Sequence, residues 1–152
     1  MYRELIKTVE GLASPRILVV GDLILDRYVF GDAERISQEA PIQVLKVAHE
    51  ETRLGGAGAV VNNLRKLGAE VDVFGVVGTD PDGDHVVAEL ERIGASTGEV
   101  LRSADRPTTR KTRFVGRAQH RIPQQVLRVD WEEVNDISPN DNNRIATGFQ
   151  RV

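Results

Sequence analysis

Three sets of residues in this sequence could do chemistry. Asp26, in GDLILDRY at 21–28, follows an apolar, β-branched run at 16–21 by a few residues. A carboxylate just past the carboxyl end of a strand stands in the crevice where open α/β sheets bind ligands, and it can accept two hydroxyl hydrogen bonds. The other reading is a turn or helix-cap aspartate, a part open to Asp22 as well. Gly55 and Gly56, in RLGGAGAVVNNLRKLG at 53–68, let backbone approach a ligand with no Cβ in the way. The N–H groups of the helix that follows would favour hydroxyl or phosphate oxygens. The spacing Gly56-x-Gly58 lacks the third glycine of a dinucleotide fingerprint, so a plain tight turn is the alternative.

The third set is basic. TTRKTRFVGRA at 108–118 and QQVLRVDW at 124–131 carry Lys111, Arg113, Arg128 and Asp130. In an extended chain Thr109, Lys111, Arg113 and Val115 share one face, and Arg110, Thr112 and Phe114 the other; Val126, Arg128 and Asp130 likewise oppose Leu127, Val129 and Trp131. Arg102, Arg106, Arg110, Lys111, Arg113, Arg117, Arg121 and Arg128 stand against Asp105 alone, and acids follow at once in Asp130, Glu132, Glu133, Asp136 and Asp141. Cations in such strands suit a solvated edge that discourages aggregation, or charge-assisted bonds to an anionic sugar phosphate. Nucleic-acid binding needs interleaved aromatics, and Phe114 and Trp131 are too few.

These residues need elements to hold them, and strand and helix signals alternate along the chain. The run 16–21 reads as a strand buried on both faces, and 42–47, after Pro41, as a second strand. Residues 57–67 read as a helix with Gly68 as its C-cap, 71–78 as a third strand, and 82–93 as an amphipathic helix closed by Gly94. This β-α-β-α order predicts an α/β sandwich around a mainly parallel sheet. The basic strands, joined by a polar turn around Arg121 and Pro123, would form with 42–47 a separate small sheet. Leu5, Ile6, Val9 and Leu12 give 1–12 the spacing of a short amphipathic helix, and a weak helix is predicted at 141–150.

Composition narrows the setting. At 152 residues the chain suits one domain with a real core, and 40% hydrophobic with 28% charged residues is ordinary for a soluble protein. A net charge of −3 gives no pull toward nucleic acid or anionic membrane. The absence of cysteine removes disulfides and thiolate metal sites and fits a cytoplasmic location. No apolar run approaches membrane-spanning length. His49, His85 and His120 lack metal-ligand spacing, and no Gly-Lys-Ser/Thr phosphate loop occurs.

GDLILDRY at 21–28, RISQEAPIQVLKV at 35–47, the glycine motif at 55–68 and VVGTDPDGD at 76–84 come in the order seen in ribokinase-like (PfkB) carbohydrate kinases, and the chain resembles that family over roughly residues 10–140. RISQEAPIQVLKV and RAQHRIPQQVLRVDWE resemble the branch that phosphorylates heptose 7-phosphate for ADP-heptose synthesis. The resemblance implies a ribokinase-like three-layer α/β sandwich with a small β-sheet lid, its strands over about 28–48 and 108–131. It also implies that Asp26 grips sugar hydroxyls and that Gly55 and Gly56 let the sugar approach. Lys111 and Arg113 would bind the sugar's phosphate, with Arg128 and Asp130 as a supporting pair and Arg35 as a further candidate. Where related kinases carry a substrate-binding Asn, this chain has Ala59.

ATP and Mg²⁺ are the implied cofactors, and a homodimer through the lid sheet the implied assembly. Asp84 matches a non-catalytic part of the pattern. The family's base is an Asp in a Gly-Ala-Gly-Asp run, and no such run occurs up to Val152. The expectation is therefore the truncated sugar-and-lid part of a kinase domain, inactive by itself, with no catalytic residue or metal ligand of its own. The alternative is a sugar-phosphate-binding or dimerisation module.

Overall fold

The computed structural model of the protein describes residues 2–11, 13–118 and 122–150. In chain order the first elements are α1 (Tyr2–Glu10), β1 (Arg16–Val20), β2 (Leu23–Ile36), β3 (Gln43–Gly56), α2 (Ala57–Lys66) and β4 (Glu70–Gly78). They are followed by α3 (Pro81–Arg92), β5 (Val100–Ser103), β6 (Thr109–Arg117), β7 (Gln124–Trp131) and α4 (Pro139–Phe149). The strands divide between a body sheet, β1-β4-β5, and a lid sheet, β3-β2-β6-β7.

The body sheet is parallel, with β1 in register from Arg16↔Glu70 to Val20↔Phe74 and β5 from Gly75↔Val100 to Gly78↔Ser103. Alternation along β4 sends Val71, Val73 and Val77 to one face, where they join Val61 of α2 and Val86 and Leu90 of α3 in the core. Phe74 turns to the other face and stacks on Phe149 of α4, ring centroids 4.6 Å apart. The expected helix–sheet–helix layering is thus present. Removing each such side chain from water is worth roughly 1.5–3 kcal/mol, which makes this layer the stable part of the molecule.

One expectation for the body needs correction. The run 16–21 does not form a strand buried on both faces: Leu18 and Val20 are 40% and 55% exposed. Among the described residues β1 is an edge strand paired with β4 alone, so its continuous apolar run reports an uncovered side as well as a core.

The lid sheet is mixed. β2 runs antiparallel to β3, from Leu23↔Gly56 to Ile36↔Gln43, and parallel to β6, from Ile24↔Thr109 to Asp32↔Arg117; β7 closes the far side antiparallel to β6. The separate small sheet is borne out, but its first hairpin is longer than 28–48. Residues 23–27 lacked a strand prediction, and the strand predicted at 42–47 continues to the glycine pair. β3 hid its length because Lys46, Glu50, Glu51 and Arg53 break the apolar alternation, and most of the strand is exposed. Helix α1 buries none of its residues, and Leu12 lies outside the described residues. Helix α4 begins earlier than predicted because Ser138 caps it and Pro139 sits in its first turn.

Candidate functional site

Asp26 does not stand in a loop beyond β1. The chain leaves the body sheet at Gly21-Asp22 and enters the lid at Leu23, so Asp26 lies within β2, beside Arg53 of β3 and Lys111 of β6. The glycine pair ends β3, Gly55 opposite Ile24 and Gly56 opposite Leu23, and a side chain at either would meet its neighbours. A Cβ on Gly55 would stand 2.7 Å from Oδ2 of Asp26. Gly56 has φ +54°, in the left-handed region, and a Cβ there would stand 2.4 Å from the Asp22 carbonyl oxygen. That carbonyl accepts a hydrogen bond from Ala57 N–H at 2.9 Å, which ties the start of α2 to the exit from the body sheet. Gly56 provides no side-chain cap for α2, and Ala59 is partly buried in the helix's first turn.

From Asp26 one face of the lid sheet is continuous. Asp26 and Tyr28 on β2, Glu51 and Arg53 on β3, Lys111 and Arg113 on β6 and Arg128 and Asp130 on β7 all alternate onto it. Arg113 NH1 donates to Asp26 Oδ1 at 2.5 Å, and the two side chains are only 20% and 18% exposed. Lys111 Nζ donates to Asp130 at 3.1 Å and to Glu132 at 2.9 Å. Arg128 donates to the other Asp130 oxygen at 3.0 Å, and Arg53 to Glu51 at 2.8 Å. The Tyr28 ring lies between two guanidiniums, Arg53 at 5.0 Å and Arg113 at 5.3 Å.

The electrostatics follow from these pairs. The bond to Glu132, aided by Asp130, raises the Lys111 ammonium above its usual value despite desolvation. The bond to Asp26 does the same for Arg113. Desolvation pushes the Asp130 carboxyl up, but its bonds from Lys111 and Arg128 outweigh that and hold it below the usual range.

The predicted residues Asp26, Gly55, Gly56, Lys111, Arg113, Arg128 and Asp130 therefore gather on one sheet face and its edge. Arg35 does not join them: it is exposed at the opposite end of β2, opposite Val44. Sequence reasoning missed Tyr28, Arg53, Glu51 and Glu132. Tyr28 stands two residues after Asp26, and Arg53 two before Gly55, so period-two alternation would have found them had the hairpin been read at full length.

The remaining basic residues of that stretch are spent elsewhere. Arg102 pairs with Asp84, Arg110 with Asp82 at 2.7 Å and Arg117 with Asp32 at 3.5 Å, while Arg106 donates to the Glu133 carbonyl at 2.6 Å. His120 and Arg121 lie outside the described residues. His85 reaches Thr52 Oγ1 at 2.9 Å, and His49 stacks on Phe30 at 4.7 Å.

The VVGTDPDGD tract is a joint. Asp80 caps α3 by accepting from Gly83 N–H at 2.8 Å, and it accepts from Thr108 N–H at 2.8 Å and Thr108 Oγ1 at 2.7 Å. Gly78 N–H donates in turn to Thr108 Oγ1 at 2.8 Å. This fixes the entry to β6, and so the position of Lys111 and Arg113, against the body. Nearby, a cleft of about 260 Å³ opens at the carboxyl end of β1 beside the middle of β4, lined by Gly21, Asp22, Phe74, Arg106 and Thr109 among others. Among the described residues, no group of three or more His, Cys, Asp or Glu could hold a metal ion, and no helix is long and apolar enough to cross a membrane.

Comparison with known proteins adds to this geometry. The family described as pfkB family carbohydrate kinase matches residues 14–143. "Bifunctional protein HldE" of Pelobacter propionicus is 47% identical over 135 residues, covering 89% of this chain and 27% of the relative. The protein of the same name from Helicobacter hepaticus is 48% identical over 139 residues, covering 91% of this chain and 28% of the relative. The chain thus spans a little over a quarter of the length of these curated relatives. A carbohydrate kinase from Agrobacterium tumefaciens superposes with a TM-score of 0.56 at 25% identity, over 76% of this chain and 35% of that one. Arabidopsis thaliana ribokinase, complexed with ribose and ATP, gives a TM-score of 0.56 at 20% identity, over 78% of this chain and 36% of that one.

Proposed function

From the premise that this chain belongs to the pfkB family of carbohydrate kinases and has the ribokinase-like fold, we propose that it forms the sugar-holding part of an ATP-dependent sugar-phosphate kinase. The proposed acceptor is heptose 7-phosphate, phosphorylated at its anomeric hydroxyl to the 1,7-bisphosphate. The observation that carries the reading is the Asp26 carboxylate, set over Gly55 with the Arg113 guanidinium on its other oxygen. Asp26 accepts hydrogen bonds from neighbouring sugar hydroxyls, and the missing side chain at Gly55 lets its carboxylate lie against the backbone beside the sugar. Lys111 and Arg113 meet the phosphate, and Arg128 and Asp130 hold Lys111 in place.

Phosphoryl transfer also needs a base for the acceptor hydroxyl and a pocket for the nucleotide. The proposal assigns both to parts of the kinase domain that these residues do not include. A second reading is a sugar-phosphate-binding or dimerising module without catalysis. Exposed Ile36, Val47 and Leu127 on the lid sheet, with Ile42 in the turn beside it, support a contact between two copies there.

The test is calorimetric titration of heptose 7-phosphate into the chain, with ADP release measured on the same samples. Lys111→Ala should weaken binding about tenfold, the loss of one charge-assisted contact. Unchanged affinity would remove the phosphate role of Lys111. ADP release should stay at the blank, and clear turnover would show that the base lies within these residues.

A further inference from the structure

On the charged face of the lid, each cation already has a carboxylate, and one such pair joins the two groups that the proposed pocket needs apart. We infer that the Asp26–Arg113 ion pair is a selectivity latch: a ligand opens it only by bringing hydroxyls for Asp26 and an anion for Arg113 together. The inference rests on the sugar-phosphate reading above and concerns how that site rejects uncharged sugars.

The geometry of the pair carries the argument. Asp26 and Arg113 come from parallel strands 87 residues apart in sequence, meet at 2.5 Å, and are each about four-fifths buried. Oδ2 of Asp26 lies against Gly55, in the space a Cβ would take, while Oδ1 is taken by the guanidinium. An uncharged sugar must compete with that guanidinium for Oδ1. If it wins, it strands a largely desolvated cation, which costs more than neutral hydroxyl bonds return.

The neighbouring groups offer little relief. Asp130, which also feels the charge of Arg113, already accepts from Lys111 and Arg128. Glu51 holds Arg53 across the Tyr28 ring. A phosphorylated sugar supplies the replacement anion itself, so opening becomes an exchange of partners. The Tyr28 ring beneath Arg113 keeps the guanidinium on this face throughout that exchange.

The latch predicts two gains of binding, which simple loss of a contact would not produce. Arg113→Met removes the cation and keeps an apolar chain over Tyr28. It should bind unphosphorylated heptose about tenfold more tightly than the wild type, and heptose 7-phosphate at least about tenfold more weakly. Asp26→Asn frees the guanidinium, and should bind inorganic phosphate about tenfold more tightly than the wild type. Calorimetry on the full chain, with circular dichroism to confirm folding, reads both.

If both variants fold and neither gains affinity while the wild type binds heptose 7-phosphate, the latch is overturned and the sugar-phosphate reading stands. If one variant fails to fold, the other decides by the same criterion. If the wild type binds none of the three ligands, the sugar-phosphate reading fails and the latch with it.

Discussion

The body sheet and the lid sheet are held by different forces. In the body, Val61, Val73, Val86 and Leu90 are wholly buried, and their contacts join one apolar cluster across α2, β4 and α3. In the lid, β3 and β7 are exposed along most of their length, and the side chains on the charged face meet through ion pairs and arginine–tyrosine stacking. Apolar burial is non-directional and has no substitute short of another apolar surface. An ion pair can exchange one partner for a ligand's charge. The part of this molecule expected to admit a charged ligand is the part built from exchangeable contacts.

The largest expected effect breaks the body side of that contrast. Leu90 is fully buried at the meeting of α3 and the sheet. Leu90→Ala should cost about 2–5 kcal/mol, combining lost transfer energy with a cavity. The loss would appear as a lower urea midpoint with an unchanged slope. A cost below about 1 kcal/mol would mean the body core is loosely packed, and the contrast would collapse.

The next effect lies at the joint. Asp80 belongs to the body as the cap of α3 and to the lid through Thr108. Burial pushes its carboxyl up, but the Thr108 and Gly83 donors outweigh burial and hold it below its reference of 3.8. A depressed folded-state pKa means the contribution is complete above the unfolded-state value and is lost as pH falls through the folded-state value. Asp80→Asn should therefore cost about 1–2 kcal/mol at neutral pH. Its stability should also fall less than the wild type's between neutrality and pH values below about 4. Parallel wild-type and variant curves in urea melts across that range would show that Asp80 is not the group titrating.

How far each region was legible in the sequence follows from the same difference. The body could be read because apolar period and helix punctuation are local: Val71, Val73 and Val77, or Val86 and Leu90, announce their face within a few residues. The burial of β1 was misread because a continuous apolar run does not say whether both of its sides find cover. The lid was legible as strands in β6 and β7 but not as a charge balance. Lys111 and Arg113 sit in a stretch that looks strongly basic, yet Arg113 meets an aspartate 87 positions away and Arg110 one 28 positions away. Resemblance to a family pointed to Asp26. Its place within a strand followed from where β2 resumes after Gly21-Asp22, a backbone event with no side-chain signature.

The smallest expected effect tests the lid side directly. Arg117 and Asp32 face each other at 3.5 Å near the far end of β6 and β2, with side chains 55% and 45% exposed. Such a pair gains little because water screens it and two long side chains lose freedom, so Arg117→Ala should change stability by less than about 0.5 kcal/mol. Most of even that difference should vanish in about 1 M salt, where screening acts within a few ångströms. Trp131, the single tryptophan of the sequence, sits on β7 with the Arg110 guanidinium 4.0 Å from its ring, so its fluorescence follows the lid itself. A salt-resistant loss above about 1 kcal/mol, seen by both Trp131 fluorescence and circular dichroism, would show the far end of the lid to be held as the core is. The division between a packed body and an exchangeable lid would then have to move outward, past the Arg117–Asp32 pair.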